Sequence, residues 1–397
     1  MLEYLKRWWP LVAILALAFN LRPVAVSVGP VLADISADIG LDGVTAGLLT
    51  ALPTVCFAAF GALAPWVSQR LGVVPTVGLA LGALVVGQVG RLTTHSPIGF
   101  LALSAFALAG MALANVLMPT LVRMHYPGRV GLATALYSLT LTLGVTTASV
   151  ATVPLAHALG GWRSALGVLL VGGVAAFAVW APLLVRARRA GSATGPRVSL
   201  SRVARTPLGW ALAVLFGIQS AQAYSIFGWL PSVYRSAGLS EVDAGFMLGI
   251  ATGVGIVPAF AVPAFVSRMA HPNRLFLGIM AFLVAGYAGL LSAPSTLPWL
   301  WATFLALGTA SFPLVLALFG IRARTPAATA ALSGFAQSVG YGFATLGPLS
   351  FGVLHGATGS WTAPIWFQLA LCVPMTVAGL YSCRPLTIED QLAAAAS

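Results

Sequence analysis

Twelve stretches of the chain stay apolar long enough to be read as single elements. They are residues 9–32, 43–67, 74–92, 97–122, 129–157, 162–185, 208–234, 241–267, 274–293, 297–320, 327–354 and 361–382. Polar positions gather between these runs instead of alternating within them. Alternation over about 10 residues would mark the strands of a membrane barrel, so the pattern predicts helices. About 20 mostly apolar residues let one helix cross the hydrocarbon of a bilayer. In hydrocarbon each backbone amide must find its partner inside its own element. The expected fold class is an all-α integral membrane protein with twelve transmembrane helices. The first run is read as a membrane helix and not a cleaved leader. It is too long, and no small-residue cleavage site followed by a soluble domain is visible.

Composition sharpens this picture. Of the 397 residues, 59% are hydrophobic and 7% charged, against about 25% charged in soluble domains. The formal net charge of +12 raises nucleic acid as a partner, but its placement argues otherwise. With the N-terminus inside, the inner ends of the runs hold Lys6, Arg7, Arg70, Arg123, Arg129, Arg186, Arg188, Arg189, Arg197, Arg202, Arg205, Arg268, Arg274, Arg322, Arg324 and Arg384. The outer ends hold Arg91, Arg163 and Arg235. That bias predicts a multi-pass protein of the inner membrane with both termini cytoplasmic. The basic surface is assigned to topology and anionic lipid, with no nucleic-acid partner.

The longest polar stretch, RARRAGSATGPRVSLSRVARTP (186–207), divides six runs from six. It is read as a cytoplasmic linker between an N-terminal six-helix bundle (1–185) and a C-terminal one with a short tail (208–397). The two halves repeat. GLDGVTAGL (40–48) and GLSEVDAGF (238–246) share five identities at an offset of 198. ATALYSLTLTLG (133–144) in the fifth run has a counterpart, ATAALSGFAQSVG (328–340), in the eleventh. A parallel six-helix repeat predicts two halves related by pseudo-twofold symmetry. In transporters of this kind the solute sits near the bilayer midplane, and the halves rock around it.

Local strings carry a resemblance. LRPVAVSVGPVL (21–32), ANVLMP (114–119), GIQSAQAYSIFGWLP (217–231) and LSGFAQSVGY (332–341), followed by LGP (346–348), resemble the cyanate permease family of the major facilitator superfamily. That family includes cyanate and 2-nitroimidazole transporters. The resemblance implies the twelve-helix, two-half fold and transport of a small solute. One loop departs from the superfamily pattern: in SQRLGVV (68–74), Gln69 stands where an acid is usual, and Val73 and Val74 where a basic pair is usual. The charge lock that the superfamily places there is therefore not expected.

The candidate chemistry centres on Arg22, inside AFNLRPVAVSVGP (18–30). The eight acids are Glu3, Asp34, Asp38, Asp42, Glu241, Asp243, Glu389 and Asp390, and none falls deep within a predicted span. Arg22 is the permanent charge nearest the midplane, where insertion costs about 2.5–3.5 kcal/mol. Its expected counter-ion is the solute, since the guanidinium fork suits planar oxyanions. The competing structural role is to tie down backbone carbonyls. Pro23 has no N–H, so the Phe19 carbonyl loses its helical donor, and Pro30 does the same to Val26. The repeat sets Ser220 or Ala221 opposite Arg22, so the shared scaffold does not require the charge.

Neutral groups fill the rest of the candidate solute site. They are Asn20, Asn115, Gln219, Gln222, Tyr224, Trp229, Gln337 and Tyr341, the last two sharing a helix face at i, i+4. Each has the alternative role of a hydrogen bond between helices, worth about 0.6 kcal/mol. Gln88 and Tyr287 are placed at the periphery. His125, His157 and His355 fall near helix ends, and His95 and His271 in loops. A histidine can relay protons near neutral pH, but an interfacial role is favoured for these. Cys56, Cys372 and Cys383 have no metal or disulfide spacing. No phosphate cradle, metal signature or paired nucleophile and base is visible. The reading is therefore not an enzyme, with no cofactor.

The expected protein is a monomeric secondary transporter of a small, planar, cyanate-like anion, working by alternating access, with proton coupling open. The alternative is an exporter of neutral or weakly charged aromatic compounds such as nitroimidazoles. In that case Trp229, Tyr224 and Tyr341 matter more than Arg22.

Overall fold

A computed structural model describes residues 2–41, 43–190, 198–269 and 271–394. Asp42, and Arg197 within the linker, lie outside the described residues. The described residues form helices and no strand. The first half runs α1 (Leu2–Leu21), α2 (Pro23–Val26), α3 (Leu32–Ile39), α4 (Gly43–Leu71), α5 (Val73–Thr93), α6 (Pro97–His125), α7 (Val130–Ala158) and α8 (Trp162–Ala190). The short α9 (Leu200–Val203) leads into α10 (Pro207–Ser236), α11 (Glu241–Gly253), α12 (Ile256–Val266) and α13 (Asn273–Ser292). Then follow α14 (Pro298–Gly308), α15 (Ser311–Ile321), α16 (Pro326–Ala344), α17 (Leu346–Thr358), α18 (Thr362–Ser382) and α19 (Ile388–Ala394).

Among the described residues, eleven helical stretches are long and apolar enough to cross a membrane. The predicted eleventh span is not among them: Ser333, Gln337, Ser338, Tyr341 and several glycines leave it less apolar than the rest, and it is also divided. Pro348 cannot donate to the Ala344 carbonyl, and α16 stops at Ala344 before α17 begins at Leu346. Pro154 lies inside α7, which runs unbroken from Val130 to Ala158. Breaks appear where the hydropathy pattern ran on: at Arg22 and again at Ser27–Val28 in the first span, at Val254–Gly255 in the eighth, and at Thr309–Ala310 in the tenth. Large apolar side chains face outward along the spans. Ile98, Val257 and Val353 are at least 70% exposed, which fits a lipid-facing surface.

The chain forms two compact units. The first comprises residues 1–129 and 136–200 with 325–334, and the second 130–135 and 201–324 with 335–397. In the first, α5 packs against α6 and α8, and α6 also packs against α4 and α1. Indole N–H groups tie helices together there: Trp9 donates to the Val179 carbonyl and Trp180 to Val74, each at 3.1 Å. One end of this unit has an apolar cluster of Ile35, Ile39, Leu49, Phe100, Trp162 and Leu166. In the second unit α10 is central, touching α11, α15, α17 and α18.

The repeat recurs in the backbone. Gly40 and Gly238 both take positive φ, +71° and +95°, a region open to glycine at no steric cost. In both places the following leucine N–H reaches back five residues, Leu41 to Ser36 and Leu239 to Tyr234, each at 3.1 Å.

Candidate functional site

Arg22 sits at the joint between α1 and α2, with φ −100° and ψ −30°. It is half-buried, with its guanidinium carbon 5.6 Å from the Phe57 ring centroid on α4. The joint follows from local chemistry. Pro23 opens α2, so the helix cannot close its bond to Phe19, and Pro30 opens the next turn. The freed Phe19 carbonyl lies against Gly144 of α7, where an added Cβ would meet the Phe19 backbone.

The other candidates of the first unit take different places. Asn20 is 7% exposed, donates to the Ala16 carbonyl at 2.8 Å, and points its amide oxygen at Gly172 of α8. Asn20 is therefore engaged in helix packing. Asn115 is buried on α6.

In the second unit, Gln219 donates to the Phe216 carbonyl at 3.1 Å and to Ser220 Oγ at 2.6 Å. Tyr341 on α16 meets the Phe216 ring edge-on at 4.9 Å. Gln219 and Tyr341 thus gather around Phe216, where α10 and α16 approach through Gly217 and Gly340. Gln337 is fully buried on the same helix as Tyr341. Tyr224 is half-buried on α10.

Gln222 turns to α18, donating to the Gln368 carbonyl at 3.0 Å and approaching Cys372 Sγ at 3.5 Å. Gln368 returns a hydrogen bond to Ser225 Oγ at 3.0 Å. Trp229 donates to the Pro348 carbonyl at 3.1 Å and joins an aromatic group with Phe351 and Trp361. The His355 ring stacks on Trp361 with centroids 3.6 Å apart.

Some residues carry more than the sequence suggested. Arg91, counted with the outer ends, is 1% exposed inside the first unit. Gln88 and Tyr287, read as peripheral to the solute site, are buried within the helix packing, at 4% and 2% exposed. Phe57 and Gln368 join their partners without a sequence signal, since an apolar ring and a lone amide do not mark what they meet. In the loop with the unusual motif, Gln69 donates to the Val198 carbonyl at 2.8 Å, and Arg70 lies 3.9 Å from the Trp66 ring. Past α18, burial pushes the Cys383 thiol up to about 11, opposed by nearby Arg322. Arg322 itself donates to the carbonyls of Ser382 and Cys383 at 3.0 and 2.9 Å, as a cation at a helix C-terminus should.

A repeated bundle of apolar helices broken around polar side chains is the build of a multi-pass membrane transporter in two six-helix halves. Residues 9–348 match the Major Facilitator Superfamily, and the chain belongs to that family. It is 32% identical over 377 residues to a 2-nitroimidazole transporter of Escherichia coli (strain K12), covering 95% of each chain. It is 29% identical over 364 residues to the cyanate transport protein CynX of the same organism, covering 91% of this chain and 94% of CynX. Among solved structures, the proton:xylose symporter XylE superposes with a TM-score of 0.78 at 13% identity, covering 98% of both chains. That likeness speaks to the fold. The protein is a transporter of a small molecule across a membrane, not an enzyme.

Proposed function

We propose that this transporter carries a small planar anion of cyanate's size and charge by alternating access, with Arg22 as the group that holds it. The place of Arg22 carries the reading. A permanent cation stands half-buried at a helix joint inside the apolar span Trp8–Val31. A charge at such depth is expensive and is characteristically a functional group facing a pathway. Its planar fork of donors matches a planar anion, and the relative named for cyanate transport supports the substrate class. Asn115, Gln219, Tyr224, Trp229, Gln337 and Tyr341 are proposed to orient the solute. Asn20 and Gln222 act behind them through helix packing. The Lys/Arg bias supports an inner-membrane protein with cytoplasmic termini, and a monomer is the proposed state.

Moving one negative charge inward against 100 mV costs about 2.3 kcal/mol. Net import of a monoanion therefore requires a co-transported proton, an exchanged anion or rapid consumption inside. The test is uptake of labelled cyanate into liposomes holding the purified protein, with and without a pH gradient. Arg22→Ala abolishes uptake while eluting as a monodisperse, folded protein. Uptake at the wild-type rate in Arg22→Ala refutes the clamp.

A second reading, export of weakly charged heteroaromatic compounds, draws on the Trp229–Phe351–Trp361 group with its stacked His355 ring. The relative named for 2-nitroimidazole transport supports it. On that reading Trp229→Ala abolishes 2-nitroimidazole efflux and Arg22→Ala spares it.

A further inference from the structure

The first unit buries a second guanidinium. Arg91, in the last turns of α5, is 1% exposed. Its Nη1 donates to the Val24 carbonyl at 3.2 Å, and its Nη2 to Gln88 Oε1 at 3.4 Å. Its guanidinium carbon lies 5.9 Å from the Phe100 ring centroid, and its Nε makes no hydrogen bond. The Arg91 partners are thus a backbone carbonyl, an amide oxygen and a ring face.

The carbonyl it reaches is a particular one. α2 ends at Val26, so Val24 is among the last residues of a four-residue helix, whose carbonyls have no following turn to serve them. Val24 is also two residues from Arg22, within the same broken segment. A charge-assisted hydrogen bond from a side chain 67 positions away fixes a stretch that its own backbone cannot.

We propose that Arg91 is a positioning residue, pinning the Val24 carbonyl so that the α1–α2 joint presents Arg22 in one orientation to the solute. This rests on the reading of Arg22 as the anion-holding group. The fork explains the residue type: one arm spans to α2 while the other braces on Gln88, one turn back on α5. A lysine at 91 would keep the charge but not the brace.

The experiment is hydrogen–deuterium exchange on the full-length protein in lipid nanodiscs, comparing wild type, Arg91→Met and Arg91→Lys. It is paired with the thermal shift that cyanate produces in each and in Arg22→Ala. Arg91→Met speeds exchange in residues 24–31 by about 10- to 150-fold, the factor a hydrogen bond to a charged group is worth. Arg91→Lys gives an intermediate rise, and α6 keeps its wild-type rates in both. The cyanate shift of the wild type is lost in Arg91→Met and reduced in Arg91→Lys.

Unchanged exchange over 24–31, or a rise spread evenly over the first unit, overturns the positioning role. A cyanate shift in Arg91→Met equal to that of the wild type overturns it too. If Arg22→Ala keeps the full cyanate shift, or the wild type shows none, the clamp reading fails. The exchange pattern then still decides whether Arg91 holds the joint.

Discussion

Gly144 offers the most direct test of how the joint at Arg22 is held. On α7 it stands against the backbone of Phe19, the residue whose carbonyl Pro23 leaves without its helical donor. A Cβ at 144 would fall 2.9 Å from the Phe19 carbonyl carbon and 3.2 Å from its Cα, and closer still to the oxygen. Carbon atoms pack at about 3.5–4.0 Å, so Gly144→Ala forces the two backbones apart by about 0.6–1.1 Å. Neither is a flexible side-chain end that could swing away. Overpacking of this kind costs about 1–3 kcal/mol. If that cost is taken from the geometry of Arg22, three residues on, apparent anion affinity falls by about 5- to 150-fold.

The control is Gly342→Ala on α16, where nothing lies within 4 Å of the added methyl. Both substitutions replace glycine within a helix, so both gain the same intrinsic preference of about 1 kcal/mol for alanine. The assay is thermal unfolding of the purified protein, together with the concentration dependence of cyanate uptake in liposomes. Gly144→Ala lowers the midpoint and raises half-saturation, while Gly342→Ala leaves both at or above wild-type quality. Wild-type behaviour in Gly144→Ala would show that α7 does not fix the joint, and the account of this contact would be wrong.

Two further outcomes follow from features outside the candidate site. Arg163 pairs with Asp38, which also accepts from Trp162 Nε1 at 3.1 Å. It also donates to the carbonyls of Leu92 and Thr94 at 3.2 and 3.0 Å. Asp38→Asn should cost at most about 1 kcal/mol, since the pair is partly exposed, and Arg163→Ala should cost more because two carbonyls lose a charged donor; unfolding midpoints that rank the other way would contradict this. Cys383 is fully buried with its thiol pushed up to about 11. It therefore stays protonated and unreactive toward maleimide at pH 8 in the folded protein and labels on unfolding; rapid labelling of the native protein at pH 8 would contradict it.

The helical nature of the spans, and the places of eleven of the twelve, were legible in the sequence because hydropathy is a local property and lipid leaves backbone amides no other solution. The repeat was legible because identities at a fixed offset, among them Gly40 and Gly238, can be read directly along the chain. Arg22 stood out because a charge in an apolar run needs no partner to be noticed, and Pro23 beside it announced a broken helix. The internal breaks at Val254–Gly255 and Thr309–Ala310 are marked by no charge in the apolar run, only by Pro258 and Pro313 four residues on, which cannot donate to the Val254 and Thr309 carbonyls.

Partners were another matter, because they are chosen across the fold. Asn20 meets Gly172, Gln222 meets Gln368, and Arg91 reaches Val24 from 67 residues away. No window along the chain contains both members of such a pair. By itself the sequence determined that this is a membrane-embedded, duplicated helical protein with a charge set into its first span. Only the tertiary structure decided which amides serve helix packing, and that a second arginine, counted by position as a surface residue, is buried against the joint that carries the first. Hydropathy acts on each residue where it stands, whereas a buried polar group is satisfied by whatever the packing of distant helices brings within about 3 Å.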